Sequence, residues 1–245
     1  MDHTRFSIVF LDEWYVAIEK PVDWLIHHSP TAPRSQPAVV PVLEAQLGRK
    51  VFPVHRLDRA TSGLLLFALS SEAAAAVAMQ FEQRQITKTY LAVVRGWFAP
   101  PAGSIERPLS PMPGENQQEA RTCYETVAQC ELPVPIPPHQ TCRYSLMRVF
   151  PETGRRQQIR RHFAGAAHPI IGDGHHGDRR HNQFFAERFG CRRMLLMAAR
   201  LKFYHIWLKR FLELQCHLDE PVQALLSDLF PGSMGDEPSQ GEREP

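Results

Sequence analysis

The sequence predicts an α+β fold. Three observations carry this: strand-like segments outnumber helical ones, the two kinds do not alternate as regular βαβ units, and residues 64–69 form an unbroken apolar run of strand length. With 245 residues and 43% apolar side chains the chain is long enough to bury a substantial core.

Residues 6–11 and 15–19 are β-rich and flank Asp12-Glu13-Trp14, which predicts an N-terminal hairpin. Lys20-Pro21 ends it, because proline brings no donor to a strand ladder. Residues 29–40 are rich in serine and proline and read as a loop, followed by a short helix over 42–47. The 64–69 run is expected to be a strand covered on both faces. Ser70-Ser71-Glu72 then opens a helix, with a serine to accept from the first free amides and a glutamate at its positive end. Ala73, Val77 and Phe81 share the core side of that helix. Further strands are expected over 89–95 (stopped by Gly96), 144–150, 195–203 and 211–217, and a helix over 156–166. The proline-rich stretches 99–118 and 132–139 read as loops. One folded domain over 1–230 and a disordered acidic tail over 231–245 are expected, with no internal repeat.

The formal net charge is only +2, but it is unevenly spread. Between 154 and 193, nine arginines face three acids, whereas the last fifteen residues carry four acids and one arginine. A concentrated arginine field suits a polyanionic partner, through release of condensed counterions, although a solvated basic surface gives the same composition. Five cysteines without a Cys-x-x-Cys pair suggest a reducing compartment. No signal peptide and no membrane span is legible, so a cytoplasmic protein is expected.

Two polar clusters stand out. The first is His55-Arg56-Leu57-Asp58-Arg59 with Thr61-Ser62-Gly63, just before the buried strand. Asp58 lies between two arginines, and from composition alone a turn-fixing ion pair is the simpler account of it. The second is Thr153-Gly154-Arg155-Arg156-Gln157-Gln158-Ile159-Arg160-Arg161-His162. Helical spacing places Arg156 and Arg160 on one polar face, able to grip phosphates or to send one guanidinium to a carboxylate. The histidines at 162, 168, 175, 176 and 181 lack acids or cysteines at a metal-ligand spacing, so no metal is expected. Trp14, Trp24 and Trp97 read as core residues and His27-His28 as a loop pair.

These clusters, in order and with their spacing, resemble the RluA family of pseudouridine synthases. The resemblance extends to Lys20-Pro21, Lys88-Thr89-Tyr90, Val94-Arg95-Gly96-Trp97 and His168-Pro169-Ile170-Ile171-Gly172-Asp173, and covers about residues 6–218. It implies a mixed, largely antiparallel central sheet flanked by helices, with a basic cleft. It implies an isomerase that converts a uridine of RNA to pseudouridine without a cofactor. By the family pattern Asp58 is the essential catalytic residue, Arg160 its partner, and Tyr90 the aromatic against the uracil. Arg56, Arg59, Arg155, Arg156, Arg161 and His162 are the implied substrate contacts. Segments 69–73 and 177–182 are most similar to a member that acts on tRNA, which implies uridine 65 of tRNA as the target. A ribosomal RNA substrate, or a tRNA-folding role with dispensable catalysis, are the alternatives. RNA is the implied partner, with no membrane and no obligate protein partner. Gln157, Met197, Glu19 and Asp23 depart from the usual family residues.

Overall fold

The computed structural model describes residues 5–28, 36–112 and 114–233. The predicted loop residues 29–35 and tail residues 234–245 lie outside the described residues. Among the described residues ten strands join in one sheet, with five helices packed on it. In chain order these are β1 (Ile8–Leu11), β2 (Tyr15–Lys20), α1 (Val39–Leu47), β3 (Phe52–Pro53), β4 (Ser62–Ala68), α2 (Ser71–Glu82), β5 (Thr87–Arg95), β6 (Ala102–Glu106), β7 (Arg121–Leu132), β8 (Cys142–Pro151), α3 (Gln158–Gly165), α4 (Arg179–Phe189), β9 (Leu196–His205), β10 (Arg210–Gln215) and α5 (Glu220–Leu229). The sheet order is β1-β2-β4-β9-β5-β8-β7-β6, with β3 added to β4 and β10 to β9. All pairings are antiparallel except β4 with β9. The expected mixed, largely antiparallel sheet is therefore the one observed.

The core follows from the side chains. Every residue of β4 is buried, as an unbroken apolar run requires, and it packs with β2 and α2 in one cluster. Ser70 caps α2 by accepting from the Ala73 amide. Ala73 and Val77 are fully buried, and Phe81 is half-buried against the same cluster. Alternation along β5 and β9 divides their side chains between the two faces of the sheet. Val93, Leu195 and Met197 meet α4 and α5 on one side, while Ala92, Val94 and Leu196 meet α3 on the other.

Several expectations need correction. The proline-rich stretch 99–118 contains β6, because its prolines flank the strand and leave its ladder amides free. β3, β7, α4 and α5 were not anticipated. The helix expected over 156–166 starts at Gln158, since Gln157 adopts a left-handed conformation (φ 53°). Arg156 therefore lies in the turn before the helix, and does not share a face with Arg160. Trp97 is no core residue: it is 41% exposed, with the Arg143 guanidinium 4.2 Å from its ring centre. Among the described residues, no helix is long and apolar enough to cross a membrane.

The parallel contact is short and close. Ser62 pairs with Met197 and Gly63 with Ala198. Gly63 has φ +104°, and a Cβ there would lie 2.3 Å from the Ala198 carbonyl oxygen. Gly63→Ala is expected to cost about 3 kcal/mol or more in urea unfolding, from backbone strain and collision together. A cost below about 0.5 kcal/mol would show that β4 and β9 can separate freely.

Candidate active site

The turn from Val54 to Thr61 leads into β4, and several groups fix it. Leu57 is buried in the core as its apolar anchor. His55 Nε2 accepts from the Leu66 amide at 2.9 Å, a donor that no neighbouring strand takes up, and its ring stacks on Phe81. Lys20, almost fully buried, donates to the carbonyls of Pro21, Trp24 and Arg59 at 2.7, 3.1 and 3.0 Å. The Asp23 amide also donates to the Arg59 carbonyl (2.8 Å), and the Thr61 amide to that of Asp58 (3.0 Å). The backbone at Asp58 is thus held on both sides.

Asp58 meets Arg160 across the sheet, Nη1 donating to the carboxylate at 3.1 Å. Arg160 lies on the first turn of α3, its side chain only 4% exposed. Its other edge donates to Asp173, with Nε at 2.7 Å and Nη2 at 2.8 Å, a bidentate fork. Asp173 also accepts from the amides of His175 and His176 at 2.9 and 3.0 Å. Burial alone would raise the Asp173 pKa, but Arg160 and these amides outweigh it and hold the carboxyl below its ordinary value. Burial likewise opposes the charge on Arg160, and the two carboxylates more than restore it. The chain Asp58–Arg160–Asp173 carries a net charge of −1, with its outer carboxylate, 21% exposed, facing the cleft.

Tyr90 enters from β5 at an irregularity: Thr89 pairs with Arg200, but Tyr90 with Ala198. Such a bulge redirects a side chain. Tyr90 therefore sits opposite the same Ala198 that Gly63 approaches, which brings the Asp58 turn and the aromatic together. Burial, then the Asp58 charge, push the phenol pKa up, so it is protonated at neutral pH.

The cleft encloses about 570 Å³. Asp58, Tyr90, Arg160, Arg56, Arg155 and Arg156 line it, as do Lys88, beside Tyr90 in the motif, and Arg84, which no motif contains. Three predicted contacts lie elsewhere. Arg59 pairs loosely with Asp23 at 3.6 Å, off the cleft wall. Arg161 donates to the Ser110 carbonyl at 2.8 Å. His162 is fully buried, its ring nitrogens 2.9 Å from Thr122 Oγ1 and 2.9 Å from the Arg107 carbonyl. Asp173 was missed as a site residue, although its Gly172-Asp173 step was visible in the motif. Gly172 (φ +78°) has no room for a Cβ, which would lie 1.9 Å from the Arg193 carbonyl oxygen. Among the described residues no group of three or more His, Cys, Asp and Glu side chains could hold a metal ion.

Such a site fits a class of enzyme that presents a buried-arginine-held carboxylate inside a basic cleft. Residues 14–165 match the RNA pseudouridylate synthase family. Proteins called tRNA pseudouridine synthase C from Yersinia pestis and Vibrio cholerae are 42% and 41% identical, over 90% and 91% of this chain and 90% and 95% of theirs. A longer relative of that name from Pectobacterium carotovorum is 42% identical, and the chain spans 62% of its length. The solved structure of human RNA pseudouridylate synthase domain containing 1 superposes with a TM-score of 0.69 at 23% identity, over 93% of this chain and 97% of that one. The chain belongs to the RNA pseudouridylate synthase family, of the RluA type, and is a pseudouridine synthase.

Two outcomes follow from the site's electrostatics. Burial, then Lys88, push the His55 pKa from 6.5 down to about 3. A histidine so depressed binds fewer protons folded than unfolded, so its stabilising contribution is complete above pH 6.5 and is lost as the pH falls towards 3. The expected slope is shallow at pH 7 and approaches about 1.4 kcal/mol per pH unit near pH 5, where the unfolded histidine is almost fully protonated. Urea unfolding of His55→Gln between pH 7 and 5 should show that slope reduced by one proton; an unchanged slope would place the imidazole in water. Asp173→Asn should cost about 3–5 kcal/mol, because it leaves Arg160 under-compensated in the interior. Combined with Arg160→Gln the loss should be well below additive, and additive losses would deny the pairing.

Proposed function

We propose that this enzyme isomerises uridine 65 of tRNA to pseudouridine, with Asp58 as the essential group. The observation that supports it best is the Asp58–Arg160 contact of 3.1 Å inside a cleft lined by arginines and lysine. Relatives that span about nine-tenths of the chain carry a tRNA-modifying name.

The reaction breaks the C1′–N1 bond, turns the uracil and joins C1′ to C5. N1 gains a proton, C5 loses one, and no electrons are gained or lost, so the chemistry needs no cofactor. Attack of a carboxylate on C1′ and removal of a ribose proton both require Asp58 ionised and aimed. Arg160 aims it through their 3.1 Å hydrogen bond, and Asp173 keeps Arg160 from turning away. Tyr90 offers its ring face to the uracil. Because its phenol is protonated, its oxygen can take the C5 proton only as its own proton leaves.

A stacked uridine must leave its stem, at a cost of a few kcal/mol. Arg56 on the cleft rim fills the vacated position and contacts the backbone. Arg155 and Arg156 hold the flanking phosphates, with the Arg155 Nε anchored on the Glu119 carbonyl at 3.0 Å. Arg59, Arg161 and His162 take no part in the cleft itself.

Asp58→Ala is expected to lower pseudouridine formation by at least about 10⁴-fold. Binding of tRNA should change less than about threefold, since the carboxylate makes no phosphate contact. The direct test maps carbodiimide adducts by primer extension on tRNA from cells lacking the gene. Loss of the signal at position 65, restored by wild type and not by Asp58→Ala, is the expected result. Loss of a ribosomal RNA signal instead would move the substrate, and rescue by Asp58→Asn of a growth defect would favour a folding role.

A further inference from the structure

A second cavity of about 310 Å³ lies on the other side of α3 from the sheet-borne turn of Asp58. Arg107, Ser110 and Gln117 from the β6–β7 connection line one wall, and Arg161, Gly165 and His176 the other. Two guanidiniums face it, and no carboxylate among the described residues does. Neither Arg107 nor Arg161 enters an ion pair among the described residues, whereas the nearby Glu106 is already taken up by Arg121 at 3.1 Å.

The cavity is built in several ways. Leu109 and Gln118 exchange two backbone hydrogen bonds (2.9 and 3.0 Å), which close the wall that carries Ser110. Arg161 is fixed by its bond to the Ser110 carbonyl. Gly165, in the last turn of α3, lets Arg107 lie against the helix, since a Cβ there would come within 2.5 Å of its Nη1. The Arg107 carbonyl is held in turn by buried His162. The cavity also communicates with the catalytic centre. His176 Nε2 lies 2.9 Å from Gln157 Oε1 on the cleft wall, and its own amide donates to Asp173. Arg161 follows Arg160 directly.

We propose that this cavity is a phosphate subsite, which takes a backbone phosphodiester of the RNA strand adjoining the target uridine. Two arginines with no acid to neutralise them form an anion site, and a substrate already gripped at the neighbouring cleft offers one phosphate per nucleotide. The space admits a phosphate with its ribose. The subsite rests on RNA as the substrate, but not on which uridine is modified. It makes α3 a two-sided element, with Arg160 turned to the catalytic carboxylate and Arg161 to the strand that carries the target.

The test measures binding of whichever RNA the wild-type enzyme modifies, across salt from about 50 to about 200 mM, so that a wrong assignment of position 65 changes the probe and not the readout. Arg107→Gln should weaken binding about fivefold or more. It should also make the plot of log affinity against log salt shallower by about 0.7 to 0.9. Turnover at saturating RNA should stay within about twofold, and Arg107→Lys should restore the slope. Ser110→Glu, which adds a carboxylate to the rim, should weaken binding in the same direction without removing any arginine. Wild-type affinity and slope in both Arg107→Gln and Ser110→Glu would overturn the proposal. So would an unchanged RNA slope with a thermal stabilisation by inorganic phosphate that Arg107→Gln abolishes, since that result assigns the cavity to the free ion.

Discussion

A guanidinium out of water sets the terms for this active site. Arg160 is almost wholly enclosed, and an uncompensated charge there would cost several kcal/mol. Asp173 meets it with two hydrogen bonds and is itself satisfied by two backbone amides. The guanidinium is then locked in one orientation, with a single Nη1 left to offer, and it offers it to Asp58. Asp58 accepts from the inside and opens to the outside. The inner pair supplies rigidity, and the outer carboxylate is the edge left facing the cleft.

The sheet supplies the other half of the constraint. β4 and β9 touch in parallel over two residue pairs only, at the point where β5 is out of register on the opposite edge of β9. The same Ala198 therefore lies beside Gly63, which closes the Asp58 turn, and beside Tyr90. A carboxylate on a turn and an aromatic on a strand, 32 positions apart, are set by one backbone position. A positive-φ glycine and a register shift thus meet at one point of the sheet.

Charge is arranged around this centre by depth. Inside, acid and base alternate and nearly cancel. At the rim, arginines at 56, 84, 155 and 156 and Lys88 outnumber the acids on the cleft wall. The cavity behind α3 extends the basic surface past the cleft. The basic residues thus lie at the periphery, around an interior in which Asp58 alone of the two paired carboxylates opens to the cleft.

The fold class, the buried strand β4, the capped start of α2 and the two polar clusters are legible in the chain alone. These rest on local chemistry: an unbroken apolar run, a serine before a helix, arginines around an aspartate. α5 has a local signature too, since Asp219 caps it and Val222, Leu225, Leu226 and Leu229 repeat at helical spacing. β7 was harder, because its alternation is broken by a register shift between Thr126 and Ala128, and β6 lies hidden among prolines. Which arginine turns inward is set by long-range packing. Arg155, Arg156, Arg160 and Arg161 are alike as residues. A left-handed Gln157 resets the helix phase between them, and Asp173, thirteen positions beyond Arg160, chooses the one that faces it. Long-range electrostatic compensation of this kind leaves no periodic trace in a sequence, because it depends on where distant backbones meet.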